Sequence, residues 1–95
     1  MRTEVTIEQQ PLEFIKRQPP ETRRRLREAL HAVERGKTFP EPLEDDLDGF
    51  YKVKVEQCRL ILQSVSGRRG PRFRVVFAER RKVAYDVFSQ LLGLE

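Results

Sequence analysis

The sequence predicts a small α+β domain of order β-α-α-β-β-β-α, with a mostly antiparallel four-stranded sheet and its helices packed on one face. Three observations carry this reading. The second half holds three strand-like segments, Phe50–Val55, Cys58–Val65 and Arg72–Ala78, joined by connections too short for anything but antiparallel hairpins. A long amphipathic helical pattern precedes them. The chain has 95 residues and no repeat, low-complexity tract or internal linker, so residues 1–95 form a single domain.

The elements follow in order. Thr3, Val5 and Ile7 alternate with Glu4, Thr6 and Glu8, the period of a half-buried strand. Pro11 suits a first helical turn, and a short helix over 12–17 is anchored by Phe14 and Ile15. Pro19-Pro20-Glu21 starts a second helix, about Pro20 to Arg35. Its apolar stripe is Leu26, Ala29, Leu30 and Val33, and Gly36 supplies a left-handed stop. Arg23, Arg24, Arg27 and Glu34 form its solvated face, Glu21 with Arg25 and Arg24 with Glu28 are spaced as ion pairs, and His31 lies off the stripe. Residues 37–48 form a connection in which Pro40 and Pro42 forbid a helix, while Phe39, Leu43 and Leu47 are expected to tuck under the sheet.

Tyr51, Val53 and Val55 face one side of the second strand; Phe50, Lys52 and Lys54 face the other. Glu56-Gln57 makes a tight turn into the nearly apolar third strand. Residues 66–71 make the next hairpin loop. In the fourth strand Phe73, Val75 and Phe77 are expected on one face, with Arg72, Arg74 and Val76 on the other. A final helix is expected over 80–92, with Ala84, Val87, Phe88, Leu91 and Leu92 inward and Gly93 at its end.

Composition narrows the function. Cys58 is the one cysteine and His31 the one histidine, so neither an internal disulfide nor a Cys- or His-based metal site is open to the chain. The acids of residues 41–48 read as a solvated loop rather than a metal cluster. No apolar run approaches the roughly 20 residues that span a bilayer, and the first residues do not resemble a signal peptide, so a reduced cytoplasmic protein is expected. The net charge is +4, unevenly spread. Residues 1–48 carry 9 Lys/Arg against 11 Asp/Glu, net −2; residues 49–95 carry 10 against 4, net +6. A sheet half rich in cations calls for an anionic partner, nucleic acid first.

The candidate site follows from that excess. Lys52 and Lys54, two apart on a strand, share a face about 7 Å apart. Arg59 lies across the hairpin. Arg80 or Arg81 follows the fourth strand, and Tyr85 comes about a turn and a half later. Arg72, Arg74 and Arg81 are candidate RNA contacts. Fixed cations stabilise a phosphorane, an aromatic ring stacks on a base, and crowded lysines suit proton transfer. Because the RNA 2′-OH can attack its neighbouring phosphate unaided, cleavage needs neither metal nor cofactor, and none is expected. No serine- or cysteine-hydrolase signature and no phosphate-cradling glycine loop is present, and Cys58 reads as a buried strand residue. The residues by themselves say that the chain binds phosphates, not that it cleaves.

Taken together, the helical stretch Phe14…Arg23-Arg24-Arg25-Leu26…Leu30…Val33, the segment Leu47-Asp48-Gly49-Phe50-Tyr51-Lys52-Val53-Lys54-Val55, then Arg59-Leu60-Ile61 and Phe77-Ala78-Glu79-Arg80 with Tyr85, resemble the RelE/ParE toxin superfamily of bacterial type II toxin–antitoxin systems. The specific part is Gly-x-Tyr-Lys-x-Lys followed by Arg-Leu-Ile. The resemblance implies a compact toxin neutralised by a cognate antitoxin and open to higher-order toxin–antitoxin assembly. In RelE-like members it implies mRNA cleavage in the ribosomal A site by 2′-OH attack, giving a 2′,3′-cyclic phosphate. Lys52 and Lys54 then take phosphate-stabilising and base roles, Arg59 clamps the phosphate, Arg80 is the acid for the leaving oxygen with Arg81 as its rival, and Tyr85 stacks on a base. A candidate for each role favours this branch over the ParE branch, which inhibits DNA gyrase without nuclease chemistry. Departures are Cys58 where an aromatic is common, Leu62 where a tyrosine is common, an Arg80–Tyr85 interval one residue short, and Glu79 where a basic residue is frequent. Glu79, like Glu56, is left as an alternative base or a weakening charge.

Overall fold

The computed structural model describes residues 3–43, 47–65, 72–81 and 84–93. Its order is β1 (Glu4–Ile7), α1 (Gln9–Lys16), α2 (Pro20–Glu34), β2 (Glu41–Pro42), β3 (Phe50–Val55), β4 (Cys58–Val65), β5 (Arg72–Arg80) and α3 (Ala84–Leu91). The sheet runs β1-β5-β4-β3-β2, antiparallel throughout except for the parallel pair β1–β5. The predicted class and element order hold. A fifth strand is added by the proline-flanked Glu41–Pro42, which pairs with Lys52 and Tyr51 on the β3 edge. Proline is compatible with such an edge because it gives up no ladder hydrogen bond there. The 66–71 loop and Glu44–Asp46 lie outside the described residues.

Helix α1 begins earlier than the proline suggested, at Gln9, because Pro11 sits inside the first turn, where its missing N–H costs no intrahelical bond. Helix α2 keeps its predicted stripe: Leu26, Leu30 and Val33 are buried. These residues join Phe14, Ile15, Val55, Cys58, Leu60, Leu62, Phe73, Val75 and Ala78 in the main core. On the exposed side Arg24 pairs with Glu21 and Glu28, while Arg25 reaches Glu56 in the β3–β4 turn at 2.8 Å. That turn carries φ 54° at Glu56, the sign that both mirror-image two-residue hairpin turns demand at this position.

Several expectations are corrected. First, the helices do not share one face. A second core of Ile61, Phe77 and Phe88, with Phe50 and Tyr85 packed against it, lies on the opposite side of the sheet and carries α3. Edge-to-face contact of Phe50 with Phe88, centroids 5.0 Å apart, fixes that docking. Second, Phe77 does not share a face with Phe73 and Val75. The β4–β5 register slips between Ile61, opposite Phe77, and Leu62, opposite Val75, leaving Val76 as a bulge residue. A bulge inverts the alternation beyond it. Third, the final helix starts at Ala84, not at residue 80, because Glu79 and Arg80 remain in the ladder opposite Arg59 and Cys58. Leu91 is 69% exposed and Leu92 42%, so α3 buries only Ala84 and Phe88. Phe39 is likewise 68% exposed, resting edge-on against Tyr51 and Phe73 instead of tucking under the sheet.

The bulge is held from outside. β1 pairs with β5 only as far as Val75, so beyond that point the β5 edge has lost its neighbouring strand. The side chain of Gln10 takes the strand's place: its Nε2 donates to Ala78 O and its Oε1 accepts from Ala78 N–H, both at 2.8 Å. Ala78 is fully buried, so both backbone groups would otherwise stay unpaired. Gln10→Ala is expected to lower unfolding free energy by roughly 2–4 kcal/mol, two orphaned buried groups at about 1–2 kcal/mol each, measured by urea denaturation. Gln10→Glu should recover less than half of the loss, since a carboxylate supplies the acceptor but no donor.

Candidate functional site

The three central strands bring two residues from β3, one from β4 and one from β5 onto the α3 face. Lys54 stands directly opposite Arg59, and Arg59 directly opposite Glu79. Two like charges side by side in a sheet cost stability. Here they are flanked by carboxylates, Glu79 on one side and Glu41 of β2 on the other, whose Oε1 lies 3.7 Å from Lys54 Nζ. All four are at least partly exposed, so the row Glu79–Arg59–Lys54 is open to solvent.

Lys52 occupies the next row, opposite Ile61. Its Nζ lies 5.7 Å from the centroid of the Tyr85 ring, within cation–π reach. Tyr85 therefore fixes Lys52 from α3. Its hydroxyl is buried and has no hydrogen-bond partner among the described residues. Arg59 is pinned by one guanidinium nitrogen: Nη1 donates to the carbonyls of Glu56 at 2.9 Å and Cys58 at 2.8 Å. The turn carbonyls thus orient the fork, while its other nitrogens take no hydrogen bond among the described residues.

Of the candidate residues read from the sequence, Lys52, Lys54, Arg59 and Tyr85 come together. Arg80 does not. The bulge at Val76 places it opposite Cys58 on the α1–α2 face, where it lines a groove of about 330 Å³ with Gln18, Pro19, Thr22, Glu56 and Gln57. Arg81 follows in the turn, with its backbone N–H on Gln57 O at 2.8 Å, so the alternation returns toward the cation face one residue later. Arg72 and Arg74 are on the cation face but at its far end, and carboxylates of β1 neutralise them: Arg72 meets Glu4 at 3.4 Å and Arg74 meets Glu8 at 3.1 Å. Glu79 is the residue that sequence alternation misplaced. Without the bulge it belongs to the other face, and nothing local to Val75-Val76-Phe77 announces the extra residue.

Burial pushes the Cys58 thiol above its ordinary value, with nearby Arg80 pulling weakly the other way. A neutral, buried thiol is no nucleophile. Among the described residues no cluster of His, Cys, Asp and Glu could hold a metal ion, and no helix is long and apolar enough to cross a membrane.

The backbone as a whole superposes on solved bacterial toxins. The Escherichia coli toxin RelE, in an arginine-substituted free form, matches with TM-score 0.72 over 98% of this chain and 97% of that one, at 16% identity. This is the RelE/ParE fold. The Mycobacterium tuberculosis toxin–antitoxin complex RelBE2 matches the domain at 0.68, over 85% of this chain and 100% of that one, at 16% identity. An Agrobacterium tumefaciens YoeB/ParE toxin gives 0.64, with 82% and 98% covered, at 15% identity. No protein-family profile and no curated protein sequence matches the chain. The RelE/ParE-like domain is thus recognisable in its backbone, while its side chains have diverged.

Iodoacetamide should alkylate Cys58 far more slowly in the folded domain than in urea, followed by intact mass. Arg80→Ala removes the charge that favours the thiolate and should lower the folded-state rate, but only modestly, since burial and not charge dominates the thiol.

Proposed function

We propose that this chain is the toxin of a type II toxin–antitoxin pair and acts as a ribosome-dependent mRNA endoribonuclease. The observation that carries the reading is the cross-strand pairing of Lys54 with Arg59, with Lys52 beside them under the Tyr85 ring. Three fixed cations on one open face match a phosphate gaining negative charge as it becomes pentacovalent. The reaction they support is attack of the RNA 2′-oxygen on the adjacent phosphorus, loss of the 5′-oxygen and formation of a 2′,3′-cyclic phosphate. Arg59 clamps the non-bridging oxygens, Lys52 and Lys54 add charge on one flank, and Tyr85 holds Lys52 in position. The ribosome supplies the mRNA in extended form, which this shallow face does not do by itself. A cognate antitoxin neutralises the toxin, a partner suggested by the toxin–antitoxin complex among the structural neighbours.

One observation favours a second reading, inhibition of DNA gyrase by protein contact. Arg80, one of the two arginines expected on the cation face after the last strand, is turned away, and a carboxylate stands in the row. The two readings separate by experiment. Under induction, primer extension on cellular transcripts should show codon-phased 5′ ends for the ribonuclease, whereas a gyrase poison should leave transcripts intact and block supercoiling by purified gyrase. On programmed ribosomes, Lys52→Ala and Arg59→Ala should each lower single-turnover cleavage roughly 10²–10³-fold. Arg80→Ala, on the opposite face, should cost less than about tenfold.

A further inference from the structure

We infer that Glu79 is the general base of the cleavage reaction, with Arg59 at the phosphate and Lys54 as the general acid. The inference rests on the ribonuclease reading and deepens it. The arrangement that carries it is the row Glu79–Arg59–Lys54, three residues directly opposite one another on adjacent strands. Neighbouring strands lie roughly 4.8 Å apart, so the outer two Cα atoms stand roughly 10 Å apart with Arg59 midway. In-line displacement at phosphorus needs this layout. The attacking 2′-oxygen and the departing 5′-oxygen lie on opposite sides of the phosphorus, so base and acid must flank whatever holds the phosphate. A carboxylate, a guanidinium and an ammonium in that order meet the requirement.

The remaining contacts fit the roles. Glu79 Oε1 accepts the backbone N–H of Arg80 at 2.9 Å, which orients the carboxylate, while Oε2 takes no hydrogen bond among the described residues. Arg59 spends only Nη1 on the turn carbonyls. Among the described residues Lys54 is held only by the 3.7 Å contact with half-exposed Glu41, a pair that an incoming phosphate can replace. Glu56, the other acid near the hairpin, reaches Arg25 of α2 at 2.8 Å, on the layer opposite α3, and so is directed away from the row. Lys52 is committed to Tyr85 and adds charge, not a proton.

The step balances. Glu79 Oε2 takes the 2′-hydroxyl proton as the O2′–P bond forms. The P–O5′ bond breaks, and Lys54 Nζ gives a proton to the departing oxygen. The products are a 2′,3′-cyclic phosphate and a 5′-hydroxyl. Glu79 then returns its proton to water, and Lys54 regains one from water.

The test uses the full chain and ribosomes programmed with an mRNA carrying one cleavable codon, made with either an ordinary linkage or a 5′-bridging sulfur there. Sulfur leaves without a proton, so it bypasses a general acid but not a general base. Glu79→Gln should lower single-turnover cleavage of the ordinary linkage about 10²–10⁴-fold, with ribosome affinity unchanged. Its amide oxygen can still accept the Arg80 N–H, so the fold is kept, which circular dichroism checks, and Glu79→Asp should recover part of the rate. The sulfur substrate should restore Lys54→Ala and leave Glu79→Gln slow. Wild-type cleavage with Glu79→Gln within threefold of it overturns the assignment, as does rescue of Glu79→Gln by sulfur. Absence of wild-type cleavage overturns the ribonuclease reading itself, and this assignment with it.

Discussion

The two hydrogen bonds between the Gln10 side chain and the backbone of Ala78 hold the point on which the domain's geometry turns. β1 stops pairing at Val75, and the strand it leaves must still bury Ala78 with its amide and carbonyl satisfied. A side-chain amide is the one neutral group that offers a donor and an acceptor at the spacing of a peptide unit. With Gln10 in place, β5 can carry a bulge at Val76 and continue to Arg80. Everything downstream then has inverted facing: Phe77 enters the second core, Ala78 the first, Glu79 reaches the cation face and Arg80 leaves it.

The bulge also explains how one small sheet supports two cores. The α1–α2 layer and α3 lie on opposite faces, and the apolar residues of β4 serve both: Leu60 and Leu62 one way, Ile61 the other. Such a strand reads as continuously apolar because it is buried on both sides. α3 covers only part of its face. Its aromatic contacts with Phe50 and Phe77 anchor it over the middle of the sheet, while the charged row at the hairpin end of β3 and β4 stays at least partly exposed. A docked helix with one aromatic edge against Lys52 shapes the site without burying it.

The electrostatics of the face are more balanced than its composition suggests. Arg72 and Arg74 meet β1 carboxylates, and Lys54 meets Glu41. The surplus is concentrated at Lys52 and Arg59, which stand opposite Glu41 and Glu79 but form no ion pair with a carboxylate among the described residues. A local surplus of this kind directs a phosphate to one place, where an evenly basic face would hold a polyanion in many registers. The backbone shared with the RelE, RelBE2 and YoeB/ParE structures at 15–16% identity shows that this fold tolerates wide sequence variation.

Most of the fold was legible in the sequence because it rests on periodicity. The limits of β3 and β4, the buried stripe of α2, and the pairing of Lys52 with Lys54 on one face follow from alternation and helical spacing, which local chemistry sets. Charge asymmetry between the halves placed the cationic excess on the part of the chain that forms the sheet, and one cysteine excluded an internal disulfide. What the sequence could not decide is anything that depends on a partner distant along the chain. The edge pairing of Glu41–Pro42, the second face for α3 and the bulge at Val76 are settled by which backbone groups find hydrogen bonds once the sheet is assembled. One unpaired residue in β5 carries no signature in Val75-Val76-Phe77, yet it exchanges Arg80 for Glu79 at the site. Alternation is a local rule, and a bulge held by a glutamine 68 positions away is a tertiary fact.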